Sequence, residues 1–179
     1  MNQRTLESID ARGAEFSPCR TWRYALWRHW DWQGHGNCLM VVGLNPSTAD
    51  ETKDDPTIRR CIGFAKQWGL GGLYMLNMFA FRATDPAAMV QAADPVGPAN
   101  DEAFGWYRTR VGVVLAAWGS LATRYRPRVQ WQSRIARVRE CIGKPLFCLG
   151  TTADGSPRHP LYVAKTVERV LYPDPKEPT

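Results

Sequence analysis

The chain has 179 residues, of which 44% are hydrophobic and 22% charged, and its formal net charge is +6. This length predicts a single domain, 1–179, with enough chain to bury a full core. The ordinary composition excludes a low-complexity protein. Five cysteines without a Cys-x-x-Cys motif argue against a disulfide scaffold and a zinc ribbon. We therefore expect a reduced, cytoplasmic compartment, no metal and no cofactor.

No segment predicts a membrane span or a secretory signal. The longest apolar run, 111–118, is far shorter than the ~20 residues that cross a bilayer. The N-terminal stretch 1–16 is polar and mixed in charge, unlike a signal peptide. We expect no membrane partner and no obligate protein partner.

The N-terminal part of the chain predicts a loose arm followed by a hairpin. Residues 1–17 show no periodicity. Aromatic and aliphatic residues alternate with arginine over 20–32, which favours an amphipathic strand, although the same alternation can line a nucleic-acid groove. The turn 33–37 then predicts an antiparallel hairpin between this strand and 38–44.

A strand–loop–helix–strand unit follows the hairpin. Asp54 or Asp55 can cap the helix, and Pro56 suits its first turn, where no amide bond is lost. An apolar stripe of helical period runs to Gly69, and a strand is expected over 73–81. This strand and the preceding one should be parallel, with a right-handed crossover.

The rest of the chain repeats the alternation of strand and helix. We expect three more helices, two more strands and a proline-rich tail with a loose end: helices at 86–93, at 99–109 and along the stripe 131–142, strands at 111–118 and 146–150, and the loose end at 173–179. The pattern predicts a three-layer α/β/α fold with a central, mostly parallel four-stranded sheet and the N-terminal β-hairpin at one edge.

Polar residues follow each predicted inner strand. Because parallel strands share a direction, these strand ends should meet at one edge of the sheet, where α/β proteins bind ligands. The residues that this edge would bring together are Asn45 with Pro46 and Ser47, Asn77, Gly119 with Ser120, and Thr151 with His159.

Asn77 is the residue most in need of an explanation. It interrupts the apolar run LYMLNMFAF, and a buried amide costs free energy unless its donors and acceptor are paired. Its planar amide can read one edge of a nucleobase, or it can bond to neighbouring loop backbone. Asn45 can equally be a turn residue of an Asn-Pro pair, and His159 a surface loop residue.

The positive charge is unevenly distributed along the chain. Six arginines between 124 and 139 face almost no acid before Glu140. Two interpretations carry equal weight: contact with a polyanion, which the guanidinium fork suits, or a solvated helix face. Arg59 and Arg60, at the start of the first crossover helix, can contact a phosphate or form an exposed basic turn.

The order of these motifs resembles the uracil-DNA glycosylase superfamily, most closely its mismatch-specific branch. Gly43-Leu44-Asn45-Pro46-Ser47 is similar to the Gly-Ile-Asn-Pro-Gly turn of that branch. The resemblance implies that Asn45 positions the attacking water. It also implies that Asn77 of Leu76-Asn77 reads the base edge, and that His159 of His159-Pro160 supports the charge on the departing base. In the superfamily the His-Pro loop also wedges into DNA, for which Arg158, Leu161 and Tyr162 are the candidates.

The whole chain is also similar to a bacterial and phage family of unknown function. Its hallmark motifs are LNPSTAD, DDPTIRRC, RATDP, PVGP-x-ND, AWG and PRHPLY, and they cover residues 44–162. This second resemblance indicates a family without implying an activity.

The chain departs from the glycosylase pattern in three ways. The first motif lacks the Asp of the main uracil-excising branch, HPLY replaces HPSP after the histidine, and the clustered cysteines of the iron–sulfur branches are missing. The loop after Asn45 is acidic over 50–55, which would repel a phosphate backbone unless these acids cap helices or bind polar groups. Asp50 can instead act as a base.

We predict three sets of site residues. The catalytic set is Asn45, His159 and Asp50; the base- or ligand-binding set is Leu44, Pro46, Ser47, Asn77, Phe79 and Gly119; the DNA-phosphate set is Arg59, Arg60, Arg82, Ser156 and Arg158.

The expected function is a DNA glycosylase-like hydrolysis of the N-glycosidic bond of a modified or damaged base, with DNA as the partner. Such chemistry requires a flipped base, donors that read its edge and donors that stabilise charge on the leaving base. Two alternatives stay open: a non-catalytic nucleic-acid or nucleotide binder, and an enzyme that acts on a free nucleotide or another small molecule in the same cleft.

Overall fold

The computed structural model describes residues 11–120 and 130–173, which form a seven-stranded sheet with helices on both faces. The strands lie in the order β1-β2-β4-β3-β5-β6-β7. In chain order the elements are β1 (Arg12–Phe16), β2 (Arg23–His29), β3 (Gly36–Gly43), α1 (Pro56–Gln67), β4 (Gly72–Asn77), α2 (Pro86–Gln91), α3 (Asn100–Tyr107), β5 (Val111–Ala116), α4 (Trp131–Ile142), β6 (Phe147–Cys148) and β7 (Val170–Leu171).

Four adjacent strands, β4, β3, β5 and β6, form a parallel block at the centre of the sheet. β2 and β7 flank this block as antiparallel neighbours, and β1 pairs with β2 at the outer edge. The register places Gly43 of β3 directly beside Asn77 of β4. The carboxyl ends of the parallel strands therefore lie along one edge, as the sequence predicts.

The sheet separates two apolar clusters. On one face, α1 packs through Ile58, Cys61 and Phe64 onto strand residues such as Leu39 and Met75. On the other face, α2, α3 and α4 pack onto strand residues that include Met40. The α/β/α layering is confirmed.

Helix α1 begins where the sequence predicts it to begin. Asp55 is its N-cap, and the Asp55 carboxylate accepts a hydrogen bond from the backbone N–H of Ile58 at 2.8 Å. Pro56 occupies the first turn, and the C-cap is Trp68. The structure also contains the helices expected at 86–93 and 99–109, as the slightly shorter α2 and α3. The bounds of α4 match those of the predicted apolar stripe 131–142.

The predicted hairpin between 20–32 and 38–44 is wrong. β2 pairs with β1 on one side and β4 on the other, while β3 lies between β4 and β5. A central strand of a parallel sheet is buried on both faces, and residues 38–43 of β3 are all buried. β3 therefore takes a central position between β4 and β5, and β2 lies nearer the edge, between β1 and β4.

The strands also differ from the prediction in number and in bounds, and those expected at 111–118 and 146–150 are the shorter β5 and β6. Residues 12–16, expected to belong to a loose arm, form β1, and the sheet has seven strands instead of four plus a hairpin. The strand expected over 73–81 ends at Asn77, because the side chain of Asn100 donates to the carbonyls of Asn77 and Met78, both at 3.1 Å. Residues 1–10 and 174–179, also expected to be loose, lie outside the described part of the chain.

No helix among the described residues is long and apolar enough to span a bilayer. All five cysteines, at 19, 38, 61, 141 and 148, are free thiols.

Candidate functional site

The loops that follow β3 and β4 are bonded to each other at the carboxyl edge of the sheet. The backbone N–H groups of Met78, Phe79 and Ala83 donate to the carbonyls of Gly43, Leu44 and Pro46 at 2.9, 3.0 and 2.9 Å. These bonds fix the direction in which both strands leave the sheet. They hold the predicted residues Leu44, Pro46 and Asn77 in one neighbourhood, with Pro46 buried and Ser47 partly exposed beside it.

Asn45 holds the same two loops together. Its Nδ2 donates to the carbonyl of Ala83 at 2.7 Å and to that of Pro46 at 3.1 Å. The bond to Ala83 fixes the orientation of the amide. Within the described part of the chain no group donates to its Oδ1. The side chain is therefore part of the loop structure through its nitrogen, and its oxygen is left as an acceptor.

Asn77 is 1% exposed, and its side chain has no hydrogen-bond partner among the described residues. Neither Nδ2 nor Oδ1 is paired, although both atoms are buried. A Cβ added to Gly43 would lie 2.7 Å from Oδ1 of Asn77, so the missing side chain at position 43 makes room for this amide. An unpaired buried amide costs ~1–3 kcal/mol. The fold therefore keeps a planar donor–acceptor pair at a cost to stability.

His159 is brought to the same edge by the segment that follows β6. It precedes a 3₁₀ turn, Pro160–Tyr162, and its Nδ1 accepts a hydrogen bond from the backbone N–H of Leu161 at 3.3 Å. Gly119, with φ +75°, leaves space for it, since a Cβ there would lie 3.4 Å from the Cβ of His159. The neutral imidazole that accepts at Nδ1 carries its proton on Nε2.

Burial lowers the pKa of His159, and the negative charge of Asp55 partly offsets that effect. This shift favours the neutral form of the imidazole. Asp55 is the N-cap of α1, and Arg60 in the first turns of the same helix donates to the carbonyl of Pro160, so the helix start lies close to the histidine. The arrangement gives the edge a neutral Nε2–H donor beside the base of α1.

A family model described as a protein of unknown function, DUF1643, matches residues 23–161, which is more than half of the chain. The chain belongs to the DUF1643 family. Asn45, Asn77, Gly119 and His159 all lie inside the matched region. No curated protein and no solved structure matches the chain.

In this DUF1643 protein the loops after β5 and β6 meet at Asp154. Its carboxylate accepts hydrogen bonds from the hydroxyls of Ser120 and Thr152 and, at 3.2 Å, from the backbone N–H of Ser156. The Gly119 N–H donates to the Pro157 carbonyl at 3.0 Å, which ties the two loops again. Ser156, predicted to bind phosphate, thus lies in the turn that leads to His159.

Asp50 of the DUF1643 chain forms a turn within the acidic loop. Its Oδ1 accepts from the backbone N–H groups of Thr52 at 2.9 Å and Lys53 at 2.8 Å. The bond from Thr52, followed by that from Lys53, lowers the pKa of Asp50. A general base that works near neutral pH needs the opposite shift.

The cations predicted to bind DNA phosphate donate to backbone carbonyls of this DUF1643 protein. Arg60 bonds to Pro160 at 3.1 Å and to Val163, Arg158 to Thr151 at 3.1 Å, and Arg82 to Arg20 at 3.3 Å. Arg59 donates to Asp54 at 2.6 Å. These bonds use part of each guanidinium to hold the fold.

The described arginines of the basic stretch 124–139 also form bonds within this DUF1643 protein. Arg134 is buried and donates to the carbonyl of Met78 at 2.6 Å and to the carboxylate of Asp101 at 2.5 Å. Arg137 pairs with Asp101 and Glu140, each at 2.8 Å. Arg139 donates to the carbonyl of Pro173 at 2.6 Å. The described arginines of this stretch therefore bond to groups of the protein itself, and Arg124, Arg126 and Arg128 lie outside the described residues.

Phe79 of this DUF1643 protein lies apart from Asn77. It is 1% exposed and packs in the apolar cluster of α2, α3 and α4, with its ring 5.2 Å from that of Trp131. Asn77 instead lies next to Gly43 and Met75, on the face that α1 covers. The sequence prediction placed both residues in one ligand-binding set, and both lie within the strand expected over 73–81.

Two features of the DUF1643 site had no signal in the sequence. Arg23 is 2% exposed, with Nη1 donating to the carbonyl of Ala49 at 2.8 Å and Nε unpaired. Burial lowers its pKa to about 10, opposed by the charge of Asp55. The Asp154 turn is the second feature, since Asp154 and Ser120 are 34 residues apart in the chain.

No group of three or more His, Cys, Asp or Glu side chains within 11–120 and 130–173 is placed to hold a metal ion.

Proposed function

We propose that the protein binds a nucleobase at the carboxyl edge of its sheet and hydrolyses the N-glycosidic bond of a modified or damaged base in DNA. The observation that carries this proposal is the amide of Asn77, which is 1% exposed and unpaired at both polar atoms. A nucleobase edge offers an adjacent donor and acceptor in one plane, which is the complement of a side-chain amide. Binding a base would remove the cost of the unpaired group.

The neutral His159 supports the chemical step in this proposal. When the bond between C1′ and the base nitrogen breaks, the electron pair leaves with the base, which becomes negatively charged before it takes up a proton. A donor placed where this charge develops lowers the barrier. The Nε2–H group of a neutral imidazole is such a donor, and the lowered pKa of His159 favours that neutral form.

Asn45 supplies the acceptor for the water in this proposal. Its Nδ2 is fixed by Ala83 and Pro46, so its Oδ1 has a defined orientation and can accept a hydrogen bond from the attacking water. The water oxygen then forms the new bond to C1′, and the proton that the water loses goes to the departed base. These roles are the ones that the resemblance to the mismatch-specific branch of the uracil-DNA glycosylase superfamily implies for Asn45 and His159. Asp50 keeps the role of a turn residue.

The proposal is tested by incubating the protein with duplexes that carry uracil, hypoxanthine or hypermodified pyrimidines and measuring abasic sites after alkaline cleavage. Asn45→Ala, Asn77→Ala and His159→Ala should each reduce a genuine activity by about 10²-fold or more. Asn37→Ala and His35→Ala are matched controls, because both residues lie at the amino end of β3, away from the site. Absence of abasic product from every duplex would refute DNA excision, and full activity of all three site variants would refute the residue roles.

A second candidate is an enzyme or binder of free nucleotides in the same site. It is favoured by the commitment of Arg60, Arg82 and Arg158 to backbone carbonyls, which reduces the cations available for a DNA backbone. Tight binding of free nucleosides without affinity for DNA would select it. Salt-dependent DNA binding without any product would instead indicate a non-catalytic nucleic-acid binder.

A further inference from the structure

A groove runs along the outer face of α1, between this helix and the segment that follows His159. Its volume is about 550 Å³, and we call it the α1 groove. It is lined on the helix by Arg59, Arg60, Gly63 and Phe64 and on the other side by Leu161 and Lys165.

The α1 groove is lined by three cations and by no acid. The acids before Arg59 are occupied, since Asp54 pairs with Arg28 at 2.8 Å and Asp55 caps α1. Glu168, three residues after Lys165, is exposed and does not line the groove. Arg60 is a wall of the groove, because its guanidinium donates to the carbonyls of Pro160 and Val163. Arg59 and Lys165 are both exposed, and Arg59 uses only Nη1 for the carbonyl of Asp54, so the rest of its guanidinium and the Lys165 ammonium are left for a ligand.

Gly63 keeps the floor of the α1 groove low. It lies in the interior of α1, where glycine costs ~1 kcal/mol relative to alanine. A Cβ at this position would meet nothing within 4 Å, so no packing contact requires a glycine here. A longer side chain would extend into the groove instead.

One end of the α1 groove meets the candidate site. Leu161 lines the groove, and the neighbouring Tyr162 is 82% exposed, the most exposed large hydrophobic side chain among the described residues. The ring of Tyr162 lies 5.5 Å from that of His159. An exposed aromatic ring beside a basic groove is the combination that single-stranded nucleic acids bind.

We propose that the α1 groove binds a single-stranded segment of nucleic acid, with phosphates on Arg59 and Lys165 and a base stacked on Tyr162. The strand would enter along α1 and reach the edge of the sheet at His159. The proposal rests on the proposed function only for the destination of the strand, since the groove binds the backbone of an unmodified strand equally well.

The test is fluorescence anisotropy with labelled, unmodified oligothymidine and the same sequence as a duplex, over a series of salt concentrations. Lys165→Ala should reduce the slope of log affinity against log salt by about 0.7, the value for one phosphate contact in a single strand. Lys66→Ala is the matched control: Lys66 lies on the same helix, over the ring of Trp30 and outside the groove, and its loss should leave the slope unchanged.

Two further variants test the groove and the ring. Gly63→Leu should fill the groove and weaken binding at least tenfold, while urea unfolding shows stability equal to or above that of the wild type. Gly105→Leu, at a glycine of α3 that also has nothing within 4 Å, should leave binding unchanged. Tyr162→Ala should weaken binding by about tenfold or more.

Wild-type affinity in both Gly63→Leu and Lys165→Ala would overturn the proposal, as would a duplex bound more tightly than the single strand. Because the oligonucleotides carry no modified base, the outcome is independent of base excision. If the wild-type protein binds the single strand in the groove but excises no base, only the proposed function is refuted. If it excises a base but does not bind the single strand in the groove, only the groove proposal is refuted.

Discussion

Gly43 and Asn77 lie side by side in register on β3 and β4, and the amide oxygen of Asn77 lies 2.7 Å from where a Cβ of residue 43 would be. Real Cβ atoms do not approach an oxygen this closely, so the glycine and the buried amide depend on each other. The pair explains why an apolar strand ends in glycine immediately before the polar turn Leu44-Asn45-Pro46.

Gly43→Ala should therefore destabilise the fold through Asn77. Overpacking a core position costs ~1–3 kcal/mol, and the other close atom, Cε of Met75, is the movable end of a flexible side chain. The free energy of unfolding in urea, measured for Gly43→Ala alone and in an Asn77→Ala background, isolates the coupling of the two residues. We expect most of the cost to disappear in the double variant, and an undiminished cost would show that Asn77 is not the obstacle.

Substitution by alanine should destabilise the fold much more at Asn100 than at Asn77. Both side chains are buried, at 1% and 0% exposure, but only Asn100 is bonded, through Nδ2 to the carbonyls of Asn77 and Met78. Asn100→Ala should cost about 2 kcal/mol or more, because two carbonyls lose their donor. Asn77→Ala should change the free energy of unfolding by less than about 1 kcal/mol in either direction. Equal losses in urea unfolding would mean that Asn77 holds the fold.

The parts of the fold that depend on local signals could be predicted from the sequence. α1 is defined by Asp55-Pro56 and an apolar stripe, all within one segment, and the structure confirms it. The partner of β2 is β4, whose contacting residues, such as Met75 opposite Leu26, are far away in the chain. Such pairing is decided by which strands must be buried on both faces, and the turn at 33–37 carries no information about it.

The residues of the candidate site also differ in whether the sequence could indicate them. Asn77 stands out in the sequence because a single amide interrupts an apolar run, and the structure buries it. Arg23 gave no comparable signal, since arginines alternate with aromatic residues throughout that strand, yet both Arg23 and Arg28 are buried there and donate to carbonyls of the loop after Asn45. Periodicity indicates which face a residue occupies, but not which of several arginines finds a carbonyl across the fold.

His159 should titrate below the ordinary histidine value of 6.5, because burial disfavours its charged form. The folded state then binds the proton less readily than the unfolded chain. The contribution to stability is fully present above pH 6.5 and is lost as the pH falls from there toward the folded pKa. The chain has three histidines, so NMR titration of the ring protons, assigned by the loss of one signal in His159→Gln, measures this value directly.

Asp55→Asn should lower the pKa of His159 further, since the charge of Asp55 raises it. Asparagine also caps helices well, so the start of α1 should survive the substitution. Circular dichroism checks the helix, and the same NMR titration reports the pKa. An unchanged or raised pKa of His159 in this variant would show that the two groups do not interact.

Asp154 should stabilise the His159 loop in a pH-dependent way. Although burial opposes it, hydrogen bonds from Ser120, Thr152 and Ser156 hold the pKa of Asp154 below its ordinary value of 3.8. The stabilisation is therefore present above pH 3.8 and is lost as the pH falls through the lower folded pKa.

Asp154→Asn removes the charge that the hydroxyl donors favour. Urea unfolding of wild type and Asp154→Asn at several pH values should give a difference that is largest above pH 4 and shrinks in acid. Asp31→Asn, an exposed carboxyl that accepts from Gln33, is the control. A difference that does not vary with pH would mean that Asp154 acts through shape alone.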